Sequence, residues 1–380
     1  MFVRNGQTIK TAFRPPQLNL DGYPHPDFSF KDHFLVRAGA GQESVIEVTP
    51  KNYPEAQKKY PDLDGVRRLV PYKTISARGC PFSCTYCSIG SLDRTVMPYR
   101  KITVPRIIDE LEQVIAAHGD IIDVISFSDD TFLTHSDQWI LEFCETYKAR
   151  INYPFRVLGH PLSVRQKQLD LLCQAGCMHF GMGIESLSQR ILFDVYDRKT
   201  PVPKVIEAAN RLVQTSKKHK ILPPTFDVIL GNPYETAADT HETFRMLAKV
   251  DRPAAYTQYA ICFFPGSKLF NRAADDGIID PQDPVHYRSW YSNEWEIAGY
   301  LRVLYELKFK KDCLSPGWLG LLSSRPAFRI FRLVLGQSQW PYNLYQRLGY
   351  KTEDERNPLV LAVWAAARWL RASLRFIRRS

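Results

Sequence analysis

Between about residue 69 and residue 280 the sequence alternates strand-like with helix-like segments, and this alternation restricts the fold more than any other feature. Residues 104–119 have apolar side chains at helical spacing and end at a glycine, whereas residues 121–127 form a short apolar run of strand length. The same alternation continues to about residue 267. A repeated strand–helix–strand order predicts an α/β fold with a parallel sheet covered by helices.

Polar and chemically reactive residues recur where the predicted strands end. Because enzymes with parallel α/β sheets or barrels place their chemistry at the carboxyl ends of the strands, we expect these residues to share one edge of the fold. They are Cys80, Asp129 and Asp130, His160, Glu185, Asn232 and Glu235, and the pair Pro265 and Gly266.

The two ends of the chain differ from this alternating core. Residues 1–68 are irregular and rich in proline, which predicts an extended, turn-rich arm or linker. Residues 281–380 read as a helical, basic extension, and the last sixty residues carry a net charge of +8 out of +10 for the whole chain. The N-terminus lacks the apolar segment of a signal peptide. We therefore expect three parts: an arm (1–68), a core (69–280) and an extension (281–380).

Three of the eight cysteines, Cys80, Cys84 and Cys87, lie within eight residues directly after the first predicted strand. The other five are scattered in apolar surroundings, where free cysteine behaves as a small hydrophobic residue. This distribution favours a reducing, cytoplasmic location and a metal site rather than disulfides. A structural zinc ion normally has a fourth Cys or His ligand. A 4Fe–4S cluster held by three thiolates instead leaves one iron open for a small molecule.

The spacing C-x-x-x-C-x-aromatic-C, with Tyr86 as the aromatic residue, resembles the motif of the radical SAM enzyme family. The resemblance implies a partial (β/α)6 TIM-type barrel, with the arm before it and the helical extension after it. It also implies that Cys80, Cys84 and Cys87 hold a 4Fe–4S cluster whose open iron binds S-adenosylmethionine (SAM). Reductive cleavage of SAM then gives a 5′-deoxyadenosyl radical, and the electron comes from a donor such as flavodoxin or ferredoxin.

Further segments resemble motifs of the same family, in the same order along the chain. In FSDDTF, Asp129 or Asp130 is expected to approach the amino group of SAM, although Asp130 could instead be a solvated neighbour of a helix cap. In GMGIES, Glu185 and Ser186 are expected to bind the ribose or the carboxylate of SAM, unless the glutamate is structural. Arg198 is placed to reach the SAM carboxylate or, as the alternative, to form a surface ion pair.

Two later segments continue the resemblance. In GNPYET, Gly231 is expected to permit close backbone approach, whereas Glu235 could simply cap the following helix. FFPGS resembles the end of the sixth strand that lines the adenine pocket, or is a plain Pro-Gly turn. Residues that act on the substrate are not identified by any of these patterns.

The arm resembles the linker that follows the cobalamin-binding domain in cobalamin-dependent radical SAM enzymes, many of which are methyltransferases. The chain itself offers no positive evidence of cobalamin, because the pattern D-x-H-x-x-G fails at Phe244. The sequence is therefore compatible with loss of that domain, with a separate cobalamin-binding partner, or with a fragment. A methylthiotransferase-like enzyme is a further alternative, as is a non-catalytic protein with a structural zinc or iron–sulfur site.

The last predicted helix, residues 357–380, carries four arginines on one face and apolar residues on the other. Such a helix could rest on an anionic membrane as a peripheral contact, bind a negatively charged partner, or pack on the barrel with a solvated basic face. No nucleic-acid-binding motif accompanies the charge. We expect a small-molecule or lipid substrate whose identity the sequence does not define.

Overall fold

The computed structural model describes most of the chain up to residue 282. The described residues are 2–4, 7–9, 14–38, 43–57, 59–64, 67–90, 94–95, 97–230, 232–282, 321 and 326. Gly231 and the predicted basic helix at residues 357–380 lie outside the described residues, as does almost all of the predicted C-terminal extension. By their internal contacts, residues 1–229 and 250–289 form one compact unit, and residues 230–249 and 290–380 form another.

Six strands form the central sheet, in the same order in space as along the chain. Each of the first four strands pairs in parallel with the next one. The sheet confirms the predicted α/β class and the six-stranded core. The strands are β1 (Pro71–Thr74), β2 (Val124–Phe127), β3 (Phe155–Gly159), β4 (Cys177–Glu185), β5 (Thr225–Leu230) and β6 (Ala255–Ala260).

Helices alternate with these strands, as the apolar periodicity predicts. In chain order they are α1 (Val104–His118), α2 (Asp137–Arg150), α3 (Gln166–Gln174), α4 (Val202–His219), α5 (Ala237–Leu247) and α6 (Lys268–Asp275). The first four pack side by side in sequence order. None of the helices that the structure describes has the length and hydropathy of a membrane span.

The helices begin at residues that can satisfy their free N–H groups. Ser136 accepts a hydrogen bond from the backbone of Trp139 at the start of α2, and Ser267 does the same for Phe270 at the start of α6. Helix α5, which belongs to the second compact unit, begins with a capping box made by Thr236 and Asp239. The expectation that Glu235 could cap this helix is therefore wrong, because the capping hydroxyl is that of the next residue.

The core lies between the sheet and the helices. Five aromatic rings, with centroid distances of 4.8 to 6.4 Å between contacting pairs, fill the space between β2, β3 and α2. They belong to Phe127, Phe132, Phe143, Tyr147 and Phe155. Strand β1 is tied to α1 by one buried carboxylate, since Glu110 accepts hydrogen bonds from Tyr72 at 3.0 Å and from Thr74 at 2.7 Å. These contacts fix the strand that precedes residues 79–90, which contain the three clustered cysteines and which we call the cysteine loop.

Short elements precede the sheet and connect its parts. Four two-stranded antiparallel pairs join Phe2–Arg4 to Gln7–Ile9, Phe34–Ala38 to Glu43–Glu47, Tyr60–Pro61 to Arg68–Leu69, and Ala77–Arg78 to Arg100–Lys101. A four-residue helix spans Tyr53–Ala56. Single helical turns of other types occupy Leu20–Gly22, Phe132–Thr134, Pro161–Ser163 and Ile191–Val195.

The proline-rich part of the arm packs against α1. His25 pairs with Asp109 at 2.8 Å, and Arg106 donates a hydrogen bond to the carbonyl of Tyr23 at 3.1 Å. Asp21 accepts a hydrogen bond from the backbone of Thr103, directly before the helix, at 3.1 Å. The arm is therefore turn-rich, as expected, but its hairpins and its docking on α1 were not predicted.

Candidate functional site

The three clustered cysteines line one cavity of about 210 Å³ at the carboxyl end of the sheet. The same cavity is lined by residues that follow or end β2, β3 and β4, so the parallel sheet brings distant parts of the sequence together there. We call it the site cavity. Its lining residues include Cys80, Phe82, Cys84, Tyr86, Cys87, Asp130, His160, Gly183, Glu185, Arg198 and Asp227.

Backbone contacts hold the cysteine loop in shape. The guanidinium group of Arg94 donates hydrogen bonds to the carbonyls of Cys80 and Phe82, at 2.6 and 2.7 Å. Gly90 is packed so closely that an added Cβ would lie 2.9 Å from backbone atoms of Cys84. The hydrogen bonds of Arg94 thus stabilise the folded conformation of the loop, and the absence of a side chain at Gly90 allows its backbone to approach that of Cys84 closely.

A second set of contacts anchors the loop to the rest of the barrel. Thr85 donates its backbone N–H to the carbonyl of Tyr196, and it accepts a hydrogen bond from the backbone of Leu269 in the first turn of α6, both at 2.9 Å. The ring of Tyr86 packs edge-on against that of Tyr196, with centroids 4.7 Å apart. The cysteine loop is therefore positioned by two elements far along the chain.

The chemistry of the three thiols fits an iron–sulfur cluster. Burial raises the pKa of Cys80 to about 11, and burial likewise raises the pKa of Cys87. The nearby Asp130 and Cys84 also disfavour ionisation of both thiols, so an added positive charge favours their conversion to thiolates.

A single metal ion is not the best match to this arrangement. No three His, Cys, Asp or Glu side chains converge as one metal ion requires, within the part of the chain that the structure describes. A four-iron cluster takes its thiolates on separate iron atoms, so they need not converge on one point. Three soft thiol donors around one cavity suit such a cluster.

The two adjacent aspartates have different environments. Asp130 lines the site cavity, whereas Asp129 is buried beside Ser76 and does not. The Oδ1 atom of Asp129 accepts hydrogen bonds from the backbone and the hydroxyl of Ser76, at 2.8 and 2.7 Å. Burial raises the pKa of Asp129 to about 7, against the effect of these hydrogen bonds. Of the two, Asp130 is the one placed to meet a ligand.

Glu185 ends β4 in an unusual backbone conformation. Its φ is +66°, and the pairing with β5 shifts register between Gly183 and Glu185. This bend turns the carboxyl group back over Gly183, where a Cβ would overlap Glu185 Oε1. Burial raises the pKa of Glu185 to about 7, while Arg198 opposes the rise. Ser186, the next residue, is buried and accepts a hydrogen bond from the backbone of Ser188 instead of lining the cavity.

Arg198 is buried, with 6% of its surface exposed, so it does not form the surface ion pair considered above. Its guanidinium group donates to Cys84 Sγ at 3.7 Å, to the hydroxyl of Tyr86 at 3.2 Å and to the carbonyl of Gly183 at 2.6 Å. Burial alone would lower its pKa, but Tyr86 and Glu185 raise the pKa above its usual value. Arg198 therefore stays charged and links the cysteine loop to the end of β4.

The sequence motifs missed several residues of this site. Arg94 was not singled out, because an exposed arginine in a loop has no distinguishing pattern. Asp227 lines the cavity from the middle of β5, although only strand ends were searched. His160, by contrast, was predicted at the edge and lines the cavity.

Residues 74–247 match the family model of the radical SAM superfamily. The matched range begins at the last residue of β1 and contains the three clustered cysteines and the residues of β4. The match covers just under half of the chain, and it agrees with the resemblance to the radical SAM family that the cysteine motif suggests. A radical SAM domain implies a 4Fe–4S cluster and SAM as cofactors, and enzymes with such a domain generally need an electron donor.

Individual relatives match only parts of the chain. An uncharacterised methyltransferase of Pyrococcus horikoshii is 29% identical over 62% of this chain and 51% of its own length. An anaerobic magnesium-protoporphyrin IX monomethyl ester cyclase of Cereibacter sphaeroides is 27% identical over 48% of this chain and 28% of its own length.

A solved structure also matches. It is the radical SAM methyltransferase TsrM of Kitasatospora setae, with cobalamin and a 4Fe–4S cluster bound, at 19% identity and a TM-score of 0.46 over 56% of this chain and 41% of that one. This chain thus spans about half the length of the first curated relative and less of the second.

Proposed function

We propose that this chain binds a 4Fe–4S cluster and SAM in the site cavity and uses them to modify a small-molecule or lipid substrate. The observation that carries the proposal is that Cys80, Cys84 and Cys87 share one cavity with Glu185 and Arg198. When bound, the cluster supplies one electron that cleaves the sulfonium of SAM to give a 5′-deoxyadenosyl radical.

The residues of the chain have separate tasks in this proposal. The three cysteines hold the cluster and leave one iron for SAM. Asp130 faces the cavity with a carboxylate that suits the amino group of SAM, and Glu185 offers a carboxyl group for its ribose hydroxyls or amino group. Arg198 holds a buried positive charge beside Cys84 and suits the SAM carboxylate. The walls of β3 and β4 restrict the access of water to the radical.

Methyl transfer is the reaction that we propose to test first, because the first relative above is named a methyltransferase. The arm, with its likeness to the linker after a cobalamin-binding domain, supports cobalamin supplied by a separate partner. We therefore propose that a separate protein supplies cobalamin. We also propose that a flavodoxin or a ferredoxin donates the electron.

Anaerobic reconstitution tests the proposal. We expect about four irons and four sulfides per chain and release of 5′-deoxyadenosine from SAM under dithionite, with methyl transfer followed with and without added cobalamin. Cys84→Ala removes a cluster ligand and should abolish SAM cleavage, whereas the control Cys173→Ala alters a cysteine that does not line the cavity and should keep it. Protein that binds only zinc, or that carries the cluster and never cleaves SAM, would contradict the proposal.

A further inference from the structure

His160 has a buried polar atom without a partner. The residue follows β3, has 5% of its surface exposed and lines the site cavity. Its ring stacks on that of Phe82, with centroids 3.6 Å apart and an angle of 18° between the planes. The Nε2 atom is buried and has no hydrogen-bond partner among the residues that the structure describes.

Local hydrogen bonds define the protonation of the imidazole. Its Nδ1 atom accepts the backbone N–H of Leu162 at 3.2 Å, in the turn that His160 caps. Ser163 ties the same turn to the backbone of His160 at both ends. Because Nδ1 accepts, the proton of the neutral ring is on Nε2. Burial lowers the pKa of His160 to about 2, so the ring is neutral at physiological pH.

This tautomer makes His160 a donor and not a metal ligand. A histidine coordinates metal through an unprotonated ring nitrogen, and Nε2 carries the proton here. Coordination through Nε2 would move the proton to Nδ1 and break the hydrogen bond from Leu162. A buried N–H without an acceptor is costly, so the geometry calls for an acceptor that the described part of the chain does not supply.

We propose that His160 donates its Nε2 proton to a sulfur atom of the cluster held by Cys80, Cys84 and Cys87. The inference rests on the proposed function and adds a residue that sets the cluster's reduction potential. Phe82 lies between two of the ligands in the sequence, and its ring is in face-to-face contact with the imidazole. The histidine is thus fixed against the cysteine loop, where cluster sulfurs are the nearest anionic acceptors that the proposal provides.

The expected consequence is electrostatic. Reduction adds negative charge to the cluster, and a hydrogen bond to sulfur stabilises that charge, so it raises the reduction potential. His160 would therefore ease the transfer of the electron into the cluster from the donor. Arg198 acts in the same direction from the side of Cys84.

Two variants distinguish the effect of the Nε2 donor from the effect of the turn that His160 caps through Nδ1. His160→Asn keeps an acceptor near the position of Nδ1 and removes the distant donor, whereas His160→Gln keeps a donor near Nε2 and removes the cap. In reconstituted full-length protein we expect a lower midpoint potential for His160→Asn than for the parent. A tenfold loss in the reduction equilibrium would be a shift of about 59 mV. His160→Gln should lie closer to the parent.

A spectroscopic measurement identifies the contact directly. With ¹⁵N-histidine incorporated, pulsed EPR of the reduced cluster should show a weak nitrogen coupling that is lost in His160→Asn. It should remain in the control His179→Asn, which alters a histidine of β4 that does not line the cavity. Unchanged potentials and no such coupling would overturn the inference, as would a strong coupling typical of direct ligation or a shift seen only with SAM bound. If the parent itself assembles no cluster, the proposed function fails first, and the two failures are thereby distinguished.

Discussion

At the scale of single residues, the position of Glu185 depends on the absence of a side chain at Gly183. The carboxyl group occupies the space in which a Cβ of residue 183 would lie, and the carbonyl of the same glycine accepts a hydrogen bond from Arg198. The absence of a side chain at Gly183 thus allows the Glu185 carboxyl group and the Arg198 guanidinium group to lie close to the backbone of one residue beside the cysteine loop.

Gly183→Ala should therefore displace Glu185 and weaken SAM binding about tenfold, or ~1.4 kcal/mol. The measurement is equilibrium binding of SAM to reconstituted protein. Gly181→Ala is the matched control on the same strand, because its Cβ would come close to the movable end of Leu158, at 2.6 Å, and would lie at an ordinary contact distance of 4.0 Å from the carbonyl oxygen of Thr225. Equal losses in both variants would show that the strand, and not the position of Glu185, is sensitive.

Asp129 gives a pH-dependent prediction. Burial raises its pKa to about 7 in the folded chain, so the native state retains a proton that the unfolded state, with the ordinary aspartate pKa of 3.8, releases. Stability from this group therefore falls as pH rises between these values. Asp129→Asn, which cannot ionise, should gain thermal stability relative to the parent as pH rises from about 4 to about 7, and the difference should level off above that range. A difference that stays constant with pH would contradict the burial argument.

At the scale of elements, the start of α6 supports the cysteine loop. Ser267 caps the helix by accepting from Phe270, and in the same turn Leu269 donates its backbone N–H to Thr85 of the loop. The free N–H groups of a helix N-terminus are thus shared between a serine cap and the loop that carries the ligands.

Ser267→Ala should cost about 1 kcal/mol of stability and also speed the loss of cluster iron to a chelator. Ser136→Ala, which removes the equivalent cap of α2 outside the cavity, should cost about as much stability without changing the rate of iron loss. Iron release followed by absorbance compares the two. Equal release rates would show that α6 does not stabilise the loop.

At the scale of the whole molecule, the alternation of strands and helices could be predicted from the periodicity along the chain. The edge that carries the candidate site could also be predicted, because parallel sheets place their chemistry at the carboxyl ends of the strands. Which aspartate faces the cavity could not be predicted, because Asp129 and Asp130 are adjacent in the sequence. The course of the backbone after β2 decides which of the two side chains points into the cavity. Similarly, the positive φ of Glu185 arises from a register shift between strands, which no local pattern encodes. The arm's contacts with α1 join residues about eighty positions apart, beyond any short motif.

The partly buried thiols of Cys80 and Cys87 have a consequence for the protein before its cluster is inserted. Cys80 and Cys87 hold their protons firmly at neutral pH, and a protonated thiol is a poor nucleophile toward oxidants. Insertion of iron must expel those protons, so cluster assembly is coupled to proton release and is favoured by alkaline conditions. We therefore expect Cys80 and Cys87 to react slowly with oxidants until iron is inserted.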